Sequence, residues 1–352
     1  MKYKWGDLIT LEYGKPVKDK DSKSGNIPVF GTNGQIGTSH LPPLCPHASF
    51  ILGRKGAYRG VHYSDVPFSV IDTAFYAKNI RTDILSLKWA YYKFLTYDIN
   101  RMDSGSAIPS TDRYEIYGIE VELPPIKYQQ KIVCLLEFLN KKIELNNRIN
   151  DNLQQQAMAL FDSWFVSFNR TNGEVPADWT EGTLGDISTI ISGKRPPMKQ
   201  AVETDGVQIP LVGASSIMGF TNAVLYNEPI LVTGRVGTHG VVQRFQTPCW
   251  TSDNTLVIKS SFYEFTYQVL QRVDYVNMNR GSTQPLITQT DLKNVSIVLP
   301  PKTVLLEFEE LAGSLMAMYE ANRKENNRLA VLRDSLLPKL MSGELDVSDI
   351  DL

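Results

Sequence analysis

The spacing of hydrophobic and polar residues along this chain changes character twice, in the same order each time. Residues 1–125 carry short β-branched and aromatic runs cut by Gly and Pro, a pattern of strands and tight turns. Within it, Ser49–Leu52 before Gly53 reads as a strand entering a turn, and Leu85–Tyr97 as an amphipathic helix. Leu123-Pro124-Pro125 then stops the strand pattern. Ile132, Leu135, Leu139, Lys142, Asn146, Ile149, Leu153, Gln156 and Leu160 follow at spacings of three and four, which predicts a long helix from about Ile126 to Phe165. The plan then repeats. Ile230–Val232 before Gly234 is strand-like, and Phe262–Met278 is helical. After Leu299-Pro300-Pro301 a second heptad runs through Leu311, Leu315, Met318, Asn322, Glu325, Leu329, Leu332 and Leu336.

Short motifs recur with the pattern. Gly6-Asp7 returns as Gly185-Asp186, Gly14-Lys15 as Gly193-Lys194, and Ile27-Pro28 as Ile209-Pro210. Gly53-Arg54-Lys55-Gly56 returns as Gly234-Arg235-Val236-Gly237, and Gly105-Ser106 with Pro109 as Gly281-Ser282 with Pro285. The offset drifts only from 179 through 182 and 181 to 176. Such order marks a tandem duplication. The expected divisions are a globular domain over 1–125, a helix over 126–168, a linker and second domain over 169–301, a helix over 302–343 and an acidic tail over 344–352.

Two long heptads leave apolar seams that need a partner, so the helices are expected to pair as a coiled coil. Helix 1 would be ~60 Å long at ~1.5 Å per residue. Antiparallel pairing lets the second domain leave and re-enter at one end of the coil, which puts the domains at opposite ends, related by a pseudo-twofold axis. Asn146 and Asn322, 176 residues apart, are polar seam positions expected to fix register. The fold class is thus α+β, with two similar domains separated by an antiparallel coiled coil.

Composition narrows the chemistry. The chain has 352 residues, 42% of them hydrophobic, which is enough for two real cores. Three cysteines without Cys-x-x-Cys spacing and four scattered histidines argue against disulfides and a metal site. Met1–Thr10 has no apolar targeting segment and no run spans a bilayer, so a cytoplasmic protein is expected. The net charge of -2 excludes a simple polycation, yet residues 1–60 carry nine Lys/Arg against four acids. None of the Pro-Pro pairs stands in the Asn/Asp-Pro-Pro-aromatic setting of an adenine methyltransferase. Ser192-Gly193-Lys194-Arg195 lacks the first Gly and the hydroxyl residue of a P-loop. Nothing supports a triad from Ser252, Asp253 and His239, so no catalytic residue is assigned.

Leu160-Phe-Asp-Ser-Trp-Phe165 at the end of helix 1 and Leu336-Leu-Pro-Lys-Leu-Met-Ser-Gly-Glu344 at the end of helix 2 carry a family resemblance. So do Trp179 before Leu184-Gly-Asp186, Ser192-Gly-Lys194, Pro28-Val-Phe-Gly-Thr-Asn-Gly-Gln-Ile-Gly37 and Gly281-Ser-Thr-Gln-Pro285. Over nearly its full length the chain resembles the specificity subunit of type I restriction–modification systems. The resemblance implies two target-recognition domains, each reading half of a bipartite double-stranded DNA target. It also implies helical spacers that dock two methylation subunits, with restriction subunits joining later. S-adenosylmethionine, ATP and Mg would belong to those partners, leaving this chain without a cofactor. Gly105-Ser-Ala-Ile-Pro109 departs from the Gly281-Ser-Thr-Gln-Pro285 form, which weakens the match in the first half.

DNA contacts are expected from cations that recur at matched motifs, phosphates supplying affinity and base edges supplying choice. Arg54, Lys55 and Arg59 sit at the first Gly-Arg turn, Arg235 and His239 at the second. Lys15, Lys194 and Arg195 follow the Gly-Lys motif, Arg101 and Arg280 precede the Gly-Ser motif, and Gln284 lies within it. Two other readings stay open. One is the recognition subunit of a related system whose partner fuses methylation and cleavage. The other is a coiled-coil adaptor that binds no DNA, favoured by nine bases against nine acids over 181–300.

Overall fold

Where Gly and Pro punctuate the chain it forms sheets, and where they become rare it forms two long helices. The protein is seen as a computed structural model that describes residues 1–22, 24–102, 109–278 and 286–348. The fold mixes helix and sheet. It divides into two compact units, Met1–Leu145 with Lys324–Leu352, and Asn146–Arg323.

In the first unit a four-stranded antiparallel sheet runs in the order Ile9–Tyr13, Ala74–Ile80, Ser49–Gly53, Val61–Ser64. Beside it stands a three-stranded sheet, Gly34–Ser39, Ile27–Gly31, Ser69–Val70, whose last pair is parallel. The second unit repeats both sheets. Its strands run Ser188–Ser192, Thr255–Ser260, Ile230–Gly234, Gln243–Phe245, and then Ile217–Thr221, Ile209–Val212, Trp250–Thr251, again with a parallel last pair. The duplicated motifs thus mark a duplicated topology. Ser49–Gly53 and Ile230–Gly234 are buried along their whole length, which is why both read as unalternating apolar runs.

The short helices are briefer than their periodicity predicts. Leu87–Leu95 is capped by Ser86, which accepts from Trp89 N. Tyr263–Gln271 stops well before Met278, because Asp274 turns the chain by accepting from Asn277 N (3.1 Å). Its own N-terminal residue, Phe262, offers no cap. Glu309 on the second long helix supplies one, accepting from Glu264 N (3.0 Å) and Phe265 N (2.8 Å). Burial pushes the Glu309 carboxyl up to about 7, against the pull of those two N–H groups.

A carboxyl raised on folding binds its proton more tightly in the native state. The stability it contributes is therefore complete below its ordinary value of 4.5 and lost as pH rises through about 7. From about pH 5 to about pH 8 the wild type is expected to lose roughly 1–3 kcal/mol that Glu309→Gln keeps. Denaturant titrations at the two pH values measure it; parallel losses in both proteins would refute it.

The long helices are Ile126–Phe161 and Lys302–Ser342. Within each unit they pair antiparallel. In the first, Arg333 donates to Asn140 Oδ1 (3.0 Å) and Asn326 to Ile143 O (3.4 Å). In the second, Asn150 donates to Tyr319 O (3.3 Å) and the Phe161 and Phe308 rings are 5.9 Å apart. The seam differs from the predicted one at alternate positions. Ile132, Leu139, Asn146 and Leu153 are buried as expected, but the residues buried between them are Leu136, Asn150 and Ala157. On the other helix Ala312 and Met316 are buried, while Leu311, Met318 and Leu332 are exposed. Each helix carries adjacent apolar stripes, and only packing against the units decides which one turns inward. Register follows the same correction. Asn322 donates to Asn150 Oδ1 (2.9 Å), a residue outside the predicted seam, and Asn146 is buried.

The helix ends anchor in the cores. Phe161, Trp164 and Phe165 pack with Phe265 and Phe308 in the second unit. Leu340 and Met341 enter the core of the first, which also buries Val347 completely. These are the residues of the two helix-end motifs, and their burial explains why those motifs are apolar at three- and four-residue spacings.

Candidate nucleic-acid interface

Two of the recurring motifs and the segment that follows a third, far apart in sequence, meet in each unit through the same backbone hydrogen bonds. Gly14 N donates to Ala74 O (3.0 Å) and Lys15 N to Val70 O (2.7 Å). Gly193 N likewise donates to Thr255 O (3.0 Å) and Lys194 N to Thr251 O (2.9 Å). Arg54 N donates to Thr73 O and Arg235 N to Asn254 O, both at 2.8 Å. Thr111 N then donates to Arg54 O, and Ile287 N to Arg235 O, both at 2.9 Å. The segment just after each Gly-Ser motif is thereby tied to the Gly-Arg turn, and both lie beside the Gly-Lys motif.

Glycine is demanded at this junction. A Cβ on Gly14 would stand 2.0 Å from Ile71 O, and one on Gly193 2.1 Å from Ser252 O. Gly56 and Gly237 close the turns with φ of +115° and +81°, which L side chains rarely adopt.

Lys15, Lys194 and Arg195 are exposed at these junctions, and Arg54 and Arg235 are half-buried. Lys55 pairs with Asp72 at 3.5 Å, and the exposed Arg101 with Asp98 at 2.9 Å. Arg59 corrects the sequence reading. It is 2% exposed, and its Nη2 donates to Ile99 O (3.3 Å) and Asn100 O (2.8 Å). It clamps the Gly-Arg turn to the segment ahead and cannot reach a phosphate. At the matched position stands the exposed Gly240, where an added Cβ would lie 3.5 Å from the Tyr275 ring. His239 is half-buried near Tyr275, with ring centroids 6.5 Å apart. Arg280, Gln284 and both Gly-Ser motifs lie outside the described residues.

Sequence reasoning missed other members of the junction. Tyr13, at the end of its strand, carries the Arg54 guanidinium 4.7 Å and the Arg113 guanidinium 5.0 Å from its ring centroid. His62 and Gln243 hold the neighbouring turn, His62 Nε2 lying 3.1 Å from Thr32 O and Gln243 donating to Gly213 O at 2.9 Å. The 176-residue offset aligns Arg113 with Gln289, so neither the position nor its contact with Tyr13 was legible in the repeat. Among the described residues no His, Cys, Asp and Glu cluster could hold a metal ion, and no helix is long and apolar enough to cross a membrane.

Comparison with known proteins agrees with this architecture. The family model for the type I restriction modification DNA specificity domain matches residues 1–155 and 176–304. The chain is similar to the type I restriction enzyme MjaIX specificity subunit of Methanocaldococcus jannaschii, 27% identical over 303 residues, 75% of this chain and 70% of that one. It is also similar to the HindI specificity subunit of Haemophilus influenzae, 23% identical over 321 residues, 65% of this chain and 70% of that one. Among solved structures, the type I restriction–modification S subunit from M. genitalium shares the fold, with TM-score 0.64 at 16% identity over 97% of this chain and 95% of that one.

Proposed function

Because the chain belongs to the type I restriction modification DNA specificity domain family, we propose that it selects the DNA sequence on which a type I complex acts. Each unit reads one half of a bipartite duplex target. The chain docks two methylation subunits and later restriction subunits, and it works on cytoplasmic DNA. Methyl transfer, ATP use and cleavage are carried out by those partners, which bind the S-adenosylmethionine, ATP and Mg.

The observation that carries the reading is the repeated junction, where an Arg and a Lys meet the segment just after a Gly-Ser motif through four matched hydrogen bonds in each unit. Cations fixed on rigid backbone supply phosphate contacts, and the adjoining loops supply base contacts. A protein that contacted DNA through one unit alone would have no reason to keep both junctions cationic. The matched cations also weigh against the adaptor reading, since surface charge without a ligand would not recur at the same bonded positions.

Arg54→Ala and Arg235→Ala are each expected to weaken binding to duplex DNA and lower the slope of log affinity against log salt by about one. Fluorescence anisotropy across a potassium chloride series reads both. If both variants keep wild-type affinity and slope, the turns are scaffolding and the reading loses its support.

A further inference from the structure

We infer that the first unit grips the DNA backbone with a guanidinium pair mounted on Tyr13, Arg54 and Arg113, for which the described residues of the second unit show no counterpart. The inference rests on the proposed DNA-reading function and adds an asymmetry that the duplicated fold does not itself imply.

Tyr13 ends the strand Ile9–Tyr13 and immediately precedes Gly14-Lys15. The residue is 38% exposed, yet its ring holds two cations, Arg54 at 4.7 Å and Arg113 at 5.0 Å from the centroid. Arg113 also lies over the Tyr114 ring at 5.2 Å and donates to the Tyr114 hydroxyl at 3.4 Å. Arg54 donates to the backbone carbonyl of Asp72 at 3.2 Å. Among the described residues neither guanidinium forms an ion pair with a carboxylate. The Asp72 carboxylate is taken by Lys55, and Asp112 caps its own helix by accepting from Tyr114 N at 3.0 Å.

Two like charges on one ring repel each other, and a cation–π contact at an exposed site returns only about 0.5–1 kcal/mol. What makes such a pair favourable is an anion. Guanidinium stacked on an aromatic face is held in a fixed plane, and with one N–H group of each engaged here the remaining donors are left to meet phosphate oxygens. Lys15, exposed one residue beyond Gly14, adds a third positive charge at the same place.

The second unit shows the alternative. The residues at the matched positions are Ser192 and Gln289, and Gln289 Nε2 donates to Ser192 Oγ at 3.0 Å. There the two positions meet through a neutral hydrogen bond, among the described residues no ring lies beneath Arg235, and the exposed Arg195 stands where the first unit has Pro16. The two units thus share one backbone junction but mount their cations differently, as a guanidinium pair stacked on Tyr13 in the first and as Lys194-Arg195 in the second.

The test uses the full chain and a short duplex of random sequence, so that base readout does not enter. Arg113→Gln installs the residue the second unit carries and leaves the Asp112 cap in place. It is expected to lower the salt slope by about one and weaken low-salt binding several-fold, while Arg113→Lys keeps the slope. The reciprocal Ser192→Tyr with Gln289→Arg should raise the slope by about one. Should Arg113→Gln lower the melting temperature, the reciprocal variant decides. Wild-type binding with an unchanged slope in both Arg113→Gln and the reciprocal variant overturns the inference and leaves the proposed function standing. A wild-type chain that binds no duplex under any salt overturns both.

Discussion

Exchanging residues 180–298 for the matching segment of a relative is expected to change one half of the methylated DNA sequence and leave the other half intact. The expectation follows from where the segment closes. Its ends are partners in one antiparallel ribbon, Glu181 opposite Val298, so they enter and leave at one place. Both sheets of the second unit lie inside it. What it must match outside is small and identifiable. Phe265 packs on Phe161, Phe165 and Phe308 of the retained helices, and the Glu264 and Phe265 N–H groups must still meet Glu309. Arg272 also pairs with the retained Asp162 at 2.7 Å, so a donor with an aromatic residue at 265 and an arginine at 272 should fold in place. Methylome sequencing of a host carrying the hybrid with its partner subunits reads the outcome. A hybrid complex that methylates with both halves changed, or with neither changed, would sink the idea that each unit reads alone.

Glu264→Ala should cost the second unit about 3–5 kcal/mol, a far larger loss than that from a surface ion pair. Arg244 and Glu264 are 4% and 7% exposed and joined by two hydrogen bonds of 2.6 and 2.7 Å. Burial pulls Arg244 toward the neutral form, but the bonds and charge of Glu264 outweigh it and leave the guanidinium more basic than usual. The Tyr263 and Tyr267 rings enclose it at 4.9 and 4.7 Å. Removing the carboxylate strands a buried cation, with Glu320 at 3.9 Å as its nearest remaining acid. Replacing both partners, Arg244→Met with Glu264→Leu, should cost much less, because no charge is left without a partner. Urea titration of the single and double variants separates the two effects. A single variant within about 1 kcal/mol of wild type would mean that water reaches the site.

The same place in the first unit shows why such a feature is invisible in the sequence. The 176-residue offset aligns Lys88 with Glu264, so the charge is reversed between the halves. Lys88 pairs with Glu137 at 2.7 Å and lies 5.1 Å from the Tyr63 ring. Each unit found its own way to satisfy a polar residue at one shared position. A repeat search sees two unrelated letters there.

Local chemistry explains what was legible. Gly14, Gly53, Gly56 and their counterparts occupy sites that no other residue fits, so the duplication survived in them. Strand Ser49–Gly53 and the two long helices are continuous in sequence, and their periods are set by backbone geometry alone. The helix-end motifs are legible because each must fill a core. From these the α+β class, the doubled plan and the two long helices follow.

Choices between nearly equal local options were left to the tertiary structure. Leu311 and Ala312 are adjacent on one helix; the sequence favours the larger side chain for the seam, but the structure buries Ala312 and exposes Leu311. Arg59 and Arg54 are both arginines at one Gly-Arg turn. Arg59 meets the carbonyls of Ile99 and Asn100, forty residues away in sequence, and Arg54 meets Tyr13, forty-one away in the other direction. One became a buried clamp and the other a cation on an exposed ring. Sequence fixes what a residue can bond to, since that resides in its own atoms. Which bond it makes depends on groups brought near only when the chain closes.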